Sequence, residues 1–316
     1  MSIREFKNAL NSLCLLTLLV ASASPVRAAT LNVHCGGSGG LNSIGAALKA
    51  LKYSESNGPS TINVSGACHE NVVIQSVDRL TLNAINGASV SDASGGKKDV
   101  IAVLDSGGIA INGFTINAGS DGVSGANGIS CTDWSSCRLA LNVIQGAGSG
   151  AGLALYGASE ATVDGDTFQN NGTGLVVNSG SKVRTGGRAR PFTSQGNGRG
   201  IFTARQGLVY GSATVQNNSD KGVDVLFNST LELTGSISQN GTVGAHVREG
   251  SNARFTGGAT IANNGGPGVL IEDLSMVNFD ATITGNGGGT DVVCNPQYSA
   301  TRGVGGTGGT TNCVEP

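Results

Sequence analysis

Residues 222–275 read GVDVLFNSTLELTGSISQNGTVGAHVREGSNARFTGGATIANNGGPGVLIEDLS, and one phrase occurs in them three times: GVDVLFNS from Gly222, GAHVREGS from Gly244 and GVLIEDLS from Gly268. Upstream the same phrase recurs as GISCTDWS (128), GLALYGAS (152), GLVVNSGS (174) and GIFTARQG (200), and a degenerate copy, TDVVCNPQ, starts at 290. Successive full copies start 22 to 26 residues apart, a period typical of solenoids. In each copy the first and third residues after the glycine are apolar: Leu153 and Leu155, Leu175 and Val177, Val223 and Val225, Ala245 and Val247, Val269 and Ile271. That alternation is a strand with one face turned inward.

Each copy continues with a second strand, as in ATVDGDT or STLELTG. A third ends in an Asn-bearing turn: FQNNG, VQNNS, SQNG, IANNG, ITGNG. Three short strands and three turns use up one repeat, so the chain is expected to coil over itself and pair each strand in parallel with its counterpart about 4.8 Å above. Asn171, Asn197, Asn218, Asn240, Asn264 and Asn286 fall at equivalent turns, where stacked amides can bond along a ladder. Leucine-rich repeats share the period without this composition, propeller repeats are about twice as long, and the calcium-binding nonapeptide does not recur.

With this grammar the chain resembles the right-handed parallel β-helix proteins of the pectate-lyase-like group. The resemblance covers nearly all of the chain after its first residues. It implies an all-β solenoid, single-stranded and right-handed, with a short N-terminal capping helix, read over LNSIGAALKALK (41–52) with Leu41, Ile44, Leu48 and Leu51 on one face. The organisation expected is a signal peptide over 1–28, a cap over 29–60, nine or ten β-helix coils over 61–294 and a capping tail over 295–316. Fold alone leaves the activity open. The polygalacturonase motifs N-T-D, D-D, G-H-G and R-I-K and the alginate-epimerase motif D-P-H-D are absent, so no catalytic residue of the group carries over.

Composition agrees with this architecture. Of 316 residues 52 are glycine, and only 13% are charged and 4% aromatic. The formal charge of −2 argues against a nucleic-acid partner. Arg4 and Lys7, the apolar run LCLLTLLVA and Val26-Arg27-Ala28 read as an export signal cleaved after Ala28. Its removal would leave 16 basic and 20 acidic residues. The run is too short to span a bilayer, and a secreted or periplasmic location is expected. Six cysteines remain beyond Cys14, an even number suited to an oxidising compartment. Fifteen pairings are possible, and the grouping favours the local ones, Cys35 with Cys68, Cys131 with Cys137 and Cys294 with Cys313. His34 beside Cys35 and His69 beside Cys68 lack the ligand spacing of a zinc site; no metal and no cofactor is expected.

If the first and third positions point inward, the second and fourth point out. The second-position column reads Ser130, Ala154, Val176, Phe202, Asp224, His246, Leu270, and the fourth Thr132, Tyr156, Asn178, Ala204, Leu226, Arg248, Glu272. Asp224 is expected beneath His246, and Arg248 beneath Glu272, with Arg205, Glu249 and Asp273 near the fifth position. An Asp can orient a His as a general base, an Arg can bind a sugar carboxylate, and Asp224 with Glu272 or Asp273 would make a carboxylate pair. Tyr156, Phe202 and Trp134 could stack on sugar rings. The candidate catalytic residues are therefore Asp224, His246, Arg248 and Glu272, with Tyr156, Phe202, Arg205, Glu249 and Asp273 for substrate. The same charges would also serve as plain ion pairs on neighbouring rungs. Arg184, Arg188 and Arg190 lie in a basic insertion over 181–199, and Phe202, Leu226 and Phe227 are candidates for lateral association.

The function expected is binding or modification of a polysaccharide, an acidic one in view of the arginines, along one outer face. An enzyme would be a polysaccharide lyase or glycoside hydrolase. The alternatives are a non-catalytic structural or adhesive surface module and a periplasmic maturation factor.

Overall fold

The computed structural model describes residues 28–37, 39–53, 59–185, 190–295, 300–302 and 313. Residues 1–27 of the signal sequence expected over 1–28, and most of the C-terminal tail, lie outside the described residues. The fold is a parallel β-solenoid. Its ten-stranded sheet holds one strand per coil: Val72–Gln75, Ile101–Leu104, Ile129–Thr132, Ala151–Leu155, Thr173–Val177, Arg199–Thr203, Val223–Val225, Ala245–Val247, Val269–Ile271 and Val292–Cys294. The pairing is parallel and in register. The first inward position runs Val72, Ile101, Ile129, Leu153, Leu175, Ile201, Val223, Ala245, Val269, Val292 without a slip. These side chains are almost wholly buried, and a one-residue slip would turn every one of them to solvent. The coils begin two turns upstream of the first copy of the phrase.

The rest of each coil lies in a seventeen-stranded sheet. In the middle coils it forms two short strands, such as Glu160–Asp164 and Thr167–Gln169. In the last four full coils the expected second and third strands are one: Leu208–Gln216, Thr230–Ser238, Asn252–Ala262 and Met276–Thr284. Leu208–Gln216 and Thr230–Ser238 pair without a break around the corner of the coil, while the pairings of Asn252–Ala262 with the strands on either side shift register there. Gly211 (φ 127°) and Gly235 (φ 104°) sit mid-strand in the first two, where the bend needs a backbone that a β-carbon would oppose.

Polar ladders run alongside the core. Each ladder Asn donates its side-chain amide, and also its backbone N–H, to the Oδ1 of the next: Asn171 to Asn197, Asn218, Asn240, Asn264 and Asn286. Asn286 hands the series on to the carboxylate of Asp291. The same amides also donate to main-chain carbonyls of the coil beneath, so buried groups that would otherwise be orphaned are paired. A second ladder is serine. The hydroxyls of Ser106, Ser135, Ser159, Ser181, Ser229, Ser251 and Ser275 each accept a backbone N–H from the coil below.

The helix spans Ile44–Tyr53 and starts three residues later than the apolar pattern suggests. Ser43 caps it through its hydroxyl to the Ala46 N–H, and the Glu70 carboxylate takes the N–H groups of Ile44 and Gly45. Negative charge belongs at that end of a helix. Ile44 and Leu48 are buried on the first coil, with Leu41 and Leu51 packed beside them. Cys35–Cys68, Cys131–Cys137 and Cys294–Cys313 are disulfides. The first bridge leaves no thiolate for a metal beside His34 and His69, whose Nδ1 atoms face the hydroxyls of Ser65 and Ser91.

Candidate functional site

The outward column of the ten-stranded sheet is sunk below its surroundings. Ser130 (4%), Ala154 (0%), Val176 (9%), Asp224 (0%) and His246 (8%) point away from the core and are nevertheless closed off from solvent. Ala151, Ala154 and Val176 form an apolar patch of their own with Phe202 packed against it. Beyond Phe202 the floor turns from apolar to charged: Phe202, Asp224, His246 and Leu270 stand in register on four successive strands.

Asp224 is the centre of the charged half. Its Oδ1 accepts from Nε of Arg248 at 3.3 Å and its Oδ2 from Nη2 at 3.4 Å. Arg199 Nη1 and Lys221 Nζ each stand 3.6 Å from Oδ2, and His246 Nδ1 lies 3.8 Å from Oδ1. A wholly buried carboxylate is tolerable only with such compensation. On the other side of the imidazole, Nε2 of His246 meets the Glu272 carboxylate at 2.7 Å, a charge-assisted length. Glu249 adds a contact to Arg248 Nη1 at 3.4 Å. Burial pushes the Arg248 guanidinium down, but the hydrogen bond and charge of Asp224, with Glu249 and Glu272, prevail and hold it above its usual pKa.

The pairing follows the expectation in part: Asp224 and His246 are register neighbours with Nδ1 3.8 Å from Oδ1, while the hydrogen bonds cross the rows. The sequence stacks Asp224 on His246 and Arg248 on Glu272, because these are register neighbours. In the fold Arg248 reaches diagonally back to Asp224 and His246 diagonally forward to Glu272. Cα register fixes rows, whereas a long guanidinium side chain selects among the carboxylates within its reach, and the buried one gains most from it. Asp224 also lies deeper than an outward position suggests. The outer ends of the network are Arg248, Arg199 and Glu272, with 27–29% of their side chains exposed, and Lys221 with 20%.

Other expected members lie apart from this centre. Arg205 and Asp273 take left-handed turn conformations (φ 50° and 52°). Arg205 covers Phe227, its Cζ 5.8 Å from the ring centroid, beside a depression of about 480 Å³ with Gln206 and Asn228. Tyr156 stays on the cluster's sheet, several rungs below it and 37% exposed; burial and the charge of Asp99 raise its phenol pKa. Phe202 lies under Arg199, 4.9 Å from its Cζ. Trp134 stands 79% exposed on its turn. Leu226 is buried (4%) and Phe227 exposed (45%), so of the apolar trio offered for association only Phe227 is fully presented. Arg190 pairs with Asp164 at 2.6 Å, Arg184 faces out from the seventeen-stranded sheet, and Arg188 lies outside the described residues; of the basic insertion, Arg199 at its end is the described arginine that reaches the Asp224 face.

Sequence reasoning missed Arg199 and Lys221. Their signal was positional: each immediately precedes the repeat glycine, in two successive coils, so both side chains lean over the Asp224 end of the floor. Among the described residues no helix is long and apolar enough to cross a membrane.

No family model matches the chain, and no curated protein does. Among solved structures it is similar to the A-module of mannuronan C-5 epimerase AlgE6 from Azotobacter vinelandii, with 15% identity, 86% of this chain and 91% of that one covered, and a TM-score of 0.40.

Proposed function

We propose that this protein is exported and binds or modifies a polysaccharide along the outer face of the ten-stranded sheet, at Asp224, His246, Arg248 and Glu272 with Arg199 and Lys221. The observation that supports this reading is a line of groups at one end of a sunken floor. The buried carboxylate of Asp224 backs His246, and His246 backs Glu272, whose carboxylate reaches the surface. In such a line Glu272 exchanges a proton with a bound sugar hydroxyl or ring carbon, while His246 shares the charge that develops. Arg199, Lys221 and Arg248 are held in place by Asp224 and present cationic donors to hydroxyl or carboxylate groups of the chain. The apolar floor from Phe202 back to Ala154 extends the surface along the axis.

A second reading, a structural or adhesive module, is favoured by one feature of the same cluster. Each of its cations stands within 4 Å of a carboxylate, and both nitrogens of His246 lie near one, Nε2 hydrogen-bonded to Glu272 at 2.7 Å and Nδ1 3.8 Å from Asp224 without a hydrogen bond.

A glycan array probed with the mature chain, the Glu272→Gln variant and the His246→Ala/Arg248→Ala double variant separates the two. Binding that the folded double variant loses is the expected result, with product formation, where it occurs, lost in Glu272→Gln while binding persists. A folded wild type that binds no glycan would sink this reading and leave the structural module.

A further inference from the structure

A depression of about 590 Å³ opens away from the Asp224 face. It lies on the outside of the seventeen-stranded sheet and is lined by Arg138, Glu160, Thr162, Lys182, Arg184 and Tyr210, among others. Strand register explains the grouping. Arg138, Thr162, Arg184 and Tyr210 occupy one outward column on four successive coils, and Ser136, Glu160, Lys182 and Leu208 occupy the column two residues earlier. Arg138, Glu160, Lys182, Arg184 and Tyr210 are all exposed. None of the described ion pairs takes Arg138, Lys182 or Arg184. Arg184 instead leans over the ring of Tyr210, 5.8 Å from its Cζ to the centroid, which holds both side chains against the sheet.

We infer that this face is a second binding surface, for an anionic polysaccharide whose charges are carboxylates or sulfates. It is independent of the reading given for the Asp224 cluster. Three features select that ligand. First, the cations are unspent, in contrast to those around Asp224, so an incoming anion need not displace a protein carboxylate. Second, they recur on alternate coils, Arg138 and then Lys182 with Arg184. Two rungs of a parallel sheet are about 10 Å apart, a spacing suited to charges repeated along an extended chain rather than to one compact anion. Third, Tyr210 offers a ring for a sugar to stack on, and Glu160 stands among the cations as an acceptor for sugar hydroxyls. A nucleic acid fits less well, because Glu160 would oppose its dense phosphates and the chain as a whole is not basic. The disulfide Cys131–Cys137 stiffens one wall, since Cys137 and Ser136 line the depression.

The test is titration of the full mature chain with polygalacturonate and with heparin, neutral dextran and a single-stranded DNA oligomer serving as comparators. The variants are Arg138→Gln/Arg184→Gln, Tyr210→Ala, and His246→Ala/Arg248→Ala for the other face. Arg254→Gln, on the same sheet outside the depression, is the control. Binding of one of the two acidic glycans is expected to weaken about tenfold or more in Arg138→Gln/Arg184→Gln, less in Tyr210→Ala, and little in Arg254→Gln, with unfolding midpoints near wild type. The same affinity in Arg138→Gln/Arg184→Gln as in wild type overturns the inference. If His246→Ala/Arg248→Ala alone loses the glycan, the single site is the Asp224 cluster. DNA bound as tightly as the glycans, or no acidic glycan bound at all, also overturns it.

Discussion

Two aspartates among the described residues are no more than 1% exposed, Asp166 (1%) and Asp224 (0%), and they are held in opposite ways. Asp166 sits in a short turn among amides. Its Oδ1 accepts the backbone N–H and side-chain amide of Asn142, and its Oδ2 accepts the N–H of Asp164. Among the described residues no cation pairs with it, and burial raises its carboxyl to about 6, outweighing those hydrogen bonds. Asp224 stands among Arg248, Arg199, Lys221 and His246. The first is a rung of a ladder that happens to be ionisable. The second is a carboxylate around which charge has been assembled at some cost in desolvation. A solenoid that needed only rungs could fill both positions with Asn, as it does at most of its turns, so the Asp224 region is the one that calls for a functional explanation.

The sharpest way to break the contrast is to remove each carboxylate. Asp224→Ala leaves three cations facing a buried gap and is expected to cost about 3–5 kcal/mol in urea unfolding; a loss below about 1 kcal/mol would show that the cations simply swing into solvent and that the cluster is loose. Asp166 gives a pH effect instead. Its folded pKa is raised, so the unfolded chain gives up the proton first as pH rises from about 4. The stability that the neutral form carries is present below that and is lost through about pH 6, by up to about 3 kcal/mol. Asp166→Asn should flatten that slope in unfolding measurements between pH 4 and 8. A slope unchanged by the substitution would place the titration elsewhere.

A smaller effect separates ladder from core. Asn218→Ala removes the acceptor of Asn197 and two donated bonds and is expected to cost about 2–3 kcal/mol in unfolding free energy. Thr203 should go the other way. It occupies an inward position filled by Val177 and Val225 in the adjoining coils, and its hydroxyl is buried without a partner. Thr203→Val is expected to raise stability by about 1 kcal/mol, visible as a higher unfolding midpoint.

Thr203 also shows what the sequence made legible. Solenoid, period, inward positions and Asn ladder were readable because each rests on one residue type recurring at one phase, and disulfide grouping followed from spacing. The serine ladder was equally present and was passed over: it is the eighth letter of GISCTDWS, GLALYGAS, GLVVNSGS, GVDVLFNS, GAHVREGS and GVLIEDLS. The one break, Gly207 in GIFTARQG, falls where a β-carbon would press on Thr203 Oγ1 and the Val177 carbonyl. The cluster was legible as a set of residues and only in part as a set of contacts: Asp224 beside His246 follows register, whereas the hydrogen bonds of Arg248 to Asp224 and of His246 to Glu272 are set by reach and burial. The Arg138–Tyr210 face was hidden for a plainer reason. Its residues alternate with the inward ones of the second strand, and only aligning that strand across coils puts Arg138, Arg184 and Tyr210 in one column.

The weakest expected effect tests whether exposure is what divides the two kinds of charge. Glu232 and Arg254 stand in register on neighbouring coils of the seventeen-stranded sheet, 3.9 Å apart, with 49% and 58% of their side chains exposed. They have the row-wise stacking that the sequence suggested for the Asp224 cluster, and they lack its burial. Water solvates both ions almost as well apart as together, so the pair should contribute no more than about 0.5 kcal/mol, and less at high salt. Arg254→Gln should therefore leave the unfolding midpoint nearly unchanged, whereas Arg248→Gln, which withdraws a hydrogen-bonded partner from a fully buried carboxylate, should lower it clearly. Equal shifts in the two variants would mean that burial of Asp224 does not govern the strength of its contacts, and the cluster would then be one more set of surface ion pairs on a solenoid wall.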